Sequence, residues 1–254
     1  MKIRVLGGYG SEGQGQRPSA FLVDDSTLID AGTVGGALTG AEQLAVEHAV
    51  LSHAHLDHTV GLAFMVDTFA MLAQERTIRA HAIAPVVETL STHVFNDALW
   101  PNFRNIPSPD APVLSLHIMP ELKETTIGRL RVIAVPVSHT VPTTGFVVHD
   151  GETGFVYSGD TGPTEQLWQV ARQIKAVKAL IVETAFPNRM DWLARASKHL
   201  TPDLLRREMD KMPPDVPVWV YHIKPQLYEE TVEELARIDS ARIHVLEQGK
   251  TYQI

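Results

Sequence analysis

Residues 49–61 read Ala49-Val-Leu-Ser-His-Ala-His-Leu-Asp-His58-Thr-Val-Gly61. The apolar run Ala49–Ser52 has the make-up of a buried strand, and Val60–Gln74 has the apolar period of a helix. His53, His55, Asp57 and His58 therefore fall at a strand-to-helix junction. His53 and His55, two residues apart, can chelate one ion if they share a strand face, while Asp57 and His58 lie past the turn, within reach of a second. The following helix points its positive end toward Asp57, which suits a carboxylate. Imidazoles and carboxylates with no sulfur ligand on offer suit zinc or a harder divalent ion. The competing explanation is a solvated loop that is merely rich in histidine.

Three more donors weigh against that explanation. His139 follows the run Arg131–Ser138, Asp160 follows Gly154–Gly159, and His222 follows Val216–Tyr221. Each alone reads as an ordinary residue at a strand end, but together they complete a two-metal set.

Strand-like runs also occur at Ile3–Leu6, Ala20–Val23, Thr27–Asp30 and Arg79–Ile83, and again at Leu130–Pro136, Thr144–His149, Gly154–Ser158, Ala179–Glu183 and Arg242–Glu247. Helical periodicity fits Glu165–Lys175, Leu204–Lys211 and Tyr228–Ile238 besides Val60–Gln74. Before Leu204, Thr201 can cap, Pro202 suits the first turn and Asp203 complements the dipole. Strands followed by helices, twice over, predict two similar β-rich halves packed sheet against sheet with helices outside. No linker divides them, so residues 1–254 are expected to form one domain. Leu99–Pro120, with four prolines at 101, 107, 109 and 112, reads as a long loop.

Composition sets bounds on partners. A net charge of −8 disfavours binding to long nucleic acid. It leaves room for a small phosphate-bearing substrate, because bound cations reverse the local sign. The absence of cysteine excludes disulfides, thiol nucleophiles and thiolate ligands. Met1-Lys-Ile-Arg-Val-Leu-Gly-Gly8 reads as a first strand rather than a signal peptide, no apolar stretch is long enough to span a membrane, and a cytoplasmic location is expected.

Ser52-His-Ala-His-Leu-Asp-His58, followed by His139, Asp160 and His222, resembles the metallo-β-lactamase superfamily, as does Asp30 in Leu28-Ile-Asp-Ala-Gly32. The resemblance implies a four-layer αββα sandwich, mixed α and β in class. It also implies two divalent metal ions, zinc foremost with manganese or iron as alternatives. One would be held by His53, His55 and His139, the other by Asp57, His58 and His222, with Asp160 bridging. Members often form homodimers, although no interface signal is visible here.

Further segments resemble the class II 3′,5′-cyclic-nucleotide phosphodiesterases: Phe95-Asn96 with Trp100-Pro101, Ser158-Gly-Asp-Thr-Gly-Pro163, Glu183-Thr-Ala-Phe-Pro-Asn188 and Lys198-His-Leu-Thr-Pro202. This implies hydrolysis of cAMP or cGMP to the 5′-monophosphate through an in-line displacement clamped by two ions. His199 is the candidate to assist the leaving 3′-oxygen and contact substrate, with Glu183 fixing its orientation and favouring its protonated form. Asp57 is either a metal ligand or the orienter of the nucleophile. Thr161 can contact a phosphate oxygen or cap the helix around Glu165. Phe95, Trp100 and Phe103 read as packing residues, with base stacking the alternative. His48, His81, His93, His117, His149 and His244 have no evident metal partner.

The rival enzyme reading is a tRNA 3′-processing endonuclease, which shares the metal set and the Glu183–His199 pair. Its basic tRNA-gripping arm has no counterpart here. Lactone or thioester hydrolysis fits the metal motif alone. A non-catalytic metal-binding or ligand-sensing module is the different-class alternative, and a full ligand set counts against it.

Overall fold

The computed structural model describes residues 1–238 and 241–254. In the first half lie strands β1 (Lys2–Gly7), β2 (Ala20–Val23) and β3 (Thr27–Ala31), helix α1 (Gly40–Ala45), strand β4 (His48–Val50) and helix α2 (Leu56–Leu72). They are followed by β5 (Ile78–Ala82), α3 (Ala84–Thr89), β6 (Pro107–Ser108), β7 (Ala111–Pro112) and β8 (Leu114–Ile118). The second half comprises β9 (Glu124–Ile127), β10 (Leu130–Pro136), β11 (Thr144–His149), β12 (Gly154–Tyr157), α4 (Gln166–Gln173) and β13 (Val177–Glu183). It continues through α5 (Asp191–Ser197), α6 (Pro202–Met209), β14 (Val218–Tyr221), α7 (Tyr228–Ala236), β15 (Ile243–Val245) and β16 (Thr251–Gln253).

Two seven-stranded sheets result, ordered β16-β1-β2-β3-β4-β5-β8 and β15-β14-β13-β12-β11-β10-β9. Alternation along each strand drives their packing. In β11 and β12, Phe146, Val148, Phe155 and Tyr157 face the core between the sheets, whereas Val147 and Val156 join Leu167, Trp168, Leu204 and Leu235 of the covering helices. Both faces of the second sheet are thus apolar, as a sheet covered on both sides requires. Phe21 meets Tyr157 and Tyr221 edge-on across the core, with centroids 5.5 and 5.4 Å apart. This is the αββα sandwich that the sequence predicts.

Three expectations are corrected. The stretch 99–120 is not all loop: β8 closes the edge of the first sheet, parallel to β5 in the register His81↔His117. The alternation in Leu114-Ser-Leu-His-Ile118 was masked by the prolines before it. The two halves are not wholly separate, because the last strand, β16, crosses back to pair with β1. Finally, β4 stops at Val50 and α2 starts at Leu56, so Asp57 and His58 lie in the first helical turn and His53 and His55 in the short connection before it.

That early start needs close backbone approach. A Cβ added to Gly32 would stand 1.9 Å from the carbonyl oxygen of Asp57, and one on Gly61 2.7 Å from that of Ala31. Glycine at both positions lets the helix N-terminus settle against the end of β3. In the second sheet β10, β12, β13 and β14 run in one direction, so their C-terminal ends gather at a single edge, where ligands of such sheets are usually bound.

Candidate metal centre

His53, His55, His139 and Asp160 offer ligand atoms within 4.8 Å of one another, and so do Asp57, His58, Asp160 and His222. Asp160 belongs to both groups, the position of a bridging carboxylate. These are the two groupings that the sequence resemblance implied.

Each ring is held from behind. His53 Nδ1 lies 2.9 Å from Ser52 Oγ, whose hydroxyl donates to Asp30 Oδ2 at 2.7 Å. His58 Nδ1 donates to the same Asp30 oxygen at 2.6 Å. His139 Nδ1 faces the Lys198 carbonyl at 3.3 Å, and His222 Nδ1 faces Ser19 Oγ at 3.0 Å. Protons placed on those Nδ1 atoms leave the Nε2 lone pairs of all four rings to converge. His55 instead presents Nδ1, 3.0 Å from His53 Nε2 and 3.3 Å from His139 Nε2.

The donor set fits metal ions. The Nε2 lone pairs of His53 and His139 meet His55 Nδ1 at hydrogen-bond distance with no proton on their side to share, an arrangement a cation relieves. His58 Nε2, His222 Nε2 and Asp160 Oδ1 are buried without a hydrogen-bond partner, and such orphans are rare unless an ion or water completes them. Asp160 Oδ1 is 3.2 Å from His58 Nε2, and its Oδ2 is 3.1 Å from His222 Nε2.

Electrostatics point the same way. Burial above all pushes His53 well below its ordinary range and His139 down to about 4, so both are neutral at pH 7, as ligands must be. Burial also opposes charge on His58, yet the Asp160 and Asp30 carboxylates overcome it and raise that ring well above the usual histidine range. For Asp160 burial favours the neutral form, but His222 and His58 hold the carboxyl well below the usual carboxylate range. Asp30 and Asp160 thus favour positive charge at His58, which either a proton on its Nε2 or a metal ion there would supply.

Beside the donors, Glu183 ends β13 fully buried. Its Oε1 accepts from His199 Nδ1 at 2.7 Å and from the Thr161 backbone N–H at 2.9 Å. Burial lowers His199, but the Glu183 charge and hydrogen bond prevail and raise it. The His199 ring lies 5.0 Å from that of His139 and stacks 5.5 Å from that of His222. Asp160, Glu183 and His199 form a third close group.

Thr161 needs correction. Its side chain is fully buried, with Oγ1 donating to the Gly162 carbonyl at 2.7 Å and accepting from Ser138 N–H at 3.2 Å. Neither a phosphate contact nor a helix cap is open to that hydroxyl. Phe95 and Phe103 are buried and Trp100 Nε1 donates to the Ala63 carbonyl at 3.2 Å, so these aromatics pin their loop to α2 rather than offer a face. Sequence reasoning missed Lys198. This residue, at φ 55 after α5, grips His139 twice, through its own carbonyl and through Nζ to the His139 carbonyl at 2.7 Å. It missed Ser19 and Tyr157 as well, because neither sits in a recognisable motif.

Comparison with known proteins agrees with this geometry. Residues 28–245 match the family described as "Beta-lactamase superfamily domain". A Yersinia pestis protein named "Probable 3′,5′-cyclic-nucleotide phosphodiesterase" is 26% identical over 203 residues, 70% of this chain and 57% of that protein. The "3′,5′-cyclic-nucleotide phosphodiesterase" of Aliivibrio fischeri is 29% identical over 205 residues, 70% of this chain and 59% of that one. The matches thus span under two thirds of each relative. Unliganded yeast PDE1 superposes with a TM-score of 0.80 over 98% of both chains at 17% identity, a likeness of fold. The chain belongs to the beta-lactamase superfamily and has the metallo-β-lactamase fold.

Proposed function

We propose that the chain is a metal-dependent phosphodiesterase that hydrolyses 3′,5′-cyclic nucleotides to 5′-monophosphates. The observation behind this reading is the pair of donor groups sharing Asp160, with the Glu183–His199 pair alongside. The names of the curated relatives support the substrate class. Two zinc ions suit an all-histidine and carboxylate set. Bound there, they would polarise the phosphoryl oxygens and activate water at neutral pH.

The protein's own groups do the rest. Asp57, 26% exposed and on the first turn of α2, joins the second donor group and orients the attacking water. Water adds to phosphorus and releases one proton to solvent, the P–O3′ bond breaks, and the 3′-oxygen takes a proton from His199 Nε2, which solvent then restores. Glu183 holds Nδ1 of that ring and keeps it charged enough to give the proton.

The decisive assay presents cAMP and cGMP to the metal-loaded protein, with Asp57→Ala and a chelated sample as controls. Metal-dependent release of the 5′-monophosphate, lost in Asp57→Ala, is the expected result. Protein that binds metal yet cleaves neither nucleotide would overturn the substrate assignment, and precursor tRNA and lactones would be tried next. The tRNA reading shares the site but contends with a net charge of −8.

A further inference from the structure

Three histidines cluster away from the metal centre. His48 opens β4, His81 lies in β5 and His117 in β8, three consecutive strands of the first sheet. His81 is paired with both Val50 and His117, and His48 is two residues before Val50, so all three occupy one face. The register Phe21↔Ile29↔Val50↔His81 makes it the inner face, because Phe21 meets Tyr157 of the other sheet. Across from them, Gly128 in the β9–β10 turn approaches the His48 ring.

Their distances match those of the candidate metal centre, but the His81 and His117 rings stack at 23°, where the rings of His53, His55 and His139 meet at 73 to 77°, so His117 must turn to aim a lone pair at a shared ion. His48 Nδ1 and His81 Nε2 are 3.1 Å apart, against 3.0 and 3.3 Å for the nitrogens around His55. Ring centroids lie 5.2 Å apart for His48 and His81 and 5.1 Å for His81 and His117, against 4.6 to 5.1 Å among His53, His55 and His139. Donors about 2.0–2.1 Å from one ion at such a separation subtend roughly 98°, between octahedral and tetrahedral geometry. Burial, then Arg79 and His117, lower His48, with Glu47 partly offsetting them; burial and the neighbouring imidazoles bring His81 to about 3. Both rings are therefore neutral at pH 7 with lone pairs to give. His81 is buried, His48 half-buried and His117 exposed, so the cluster opens to solvent at one end.

We propose that His48 and His81 hold a divalent transition-metal ion, separate from the catalytic centre, with His117 turning from Ser115 Oγ to complete the site. Imidazole ligation favours zinc, nickel or copper. The inference does not rest on the proposed activity.

Equilibrium dialysis of the full chain against Zn²⁺, with elemental analysis, tests it. At saturation His48→Gln should hold one ion per chain fewer than the unaltered protein. His117→Ala, at an exposed position, should keep the ion but bind it at least roughly tenfold more weakly, since even outer partners of a metal site contribute that much. Asp160→Ala should disturb the main centre and leave the His48-dependent ion in place. Equal ion counts in His48→Gln and the unaltered protein would overturn the proposal and reduce the His48–His81 contact to a hydrogen bond between imidazoles.

Discussion

Asp30 receives four hydrogen bonds on one buried carboxylate: Ser52 N–H at 2.7 Å, Ser52 Oγ at 2.7 Å, His58 Nδ1 at 2.6 Å and Tyr157 Oη at 2.6 Å. It thus fixes His58 directly and His53 through Ser52. Tyr157→Phe removes one charged hydrogen bond and is expected to cost about 1.5–3 kcal/mol in chemical denaturation at unchanged m. A loss below about 0.5 kcal/mol would show that Ser52 and His58 suffice. At the same scale, His199→Ala should lower kcat by roughly 10²–10⁴-fold. Adding Glu183→Gln to it should cost little more, because the pair acts as a unit. The pH profile gives the sign. Glu183 raises His199, so the fall in kcat as pH rises through that group should move to lower pH in Glu183→Gln. An unshifted profile would remove Glu183 from that role. His199 and Glu183 were legible in the sequence, since each sits in a recognisable segment. Lys198 and Ser19 were not, because a serine hydroxyl and a lysine's carbonyl and amine are common groups that meet His222 and His139 only once distant segments pack.

Among the elements, α2 decides the geometry of the second donor group. Its first turn carries Asp57 and His58, and Gly61 one turn later rests on the end of β3. Gly61→Ala would set its Cβ 2.7 to 2.9 Å from backbone atoms of Ala31, Thr33 and Val34, which cannot swing aside. Such overpacking is expected to cost about 1–3 kcal/mol and to weaken metal binding, read by denaturation and by metal titration. Unaltered stability and affinity would mean that the helix shifts freely and is not what places His58. The helix itself lies where the sequence predicts one, but its start was not readable. His55 at φ −62 and ψ 148 caps it without a side-chain bond, so the usual start signals are missing.

At the scale of the molecule, the donors join the two sheets. His53, His55, Asp57 and His58 come from the first, and His139, Asp160 and His222 from the second. Each ion bound there would favour the folded state by about 2.7 kcal/mol at a hundredfold excess over Kd, or roughly 5–10 °C in melting temperature for a domain of this size. A thermal scan with and without chelator measures that difference, and no shift would argue against tight binding between the sheets. The sequence by itself determined most of the longer strands, the paired halves and the four donors between residues 53 and 58, because period-two alternation and a cluster within six residues are local properties, while His139, Asp160 and His222 were read as strand-end residues that the family resemblance joins to them. Only the tertiary structure decided that β16 returns to the first sheet, that Thr161 turns inward, that Ser19 supports His222 from 203 residues away and that His48, His81 and His117 meet. Each of these depends on strand order and register, which arise from packing between distant segments and leave no pattern within any one of them.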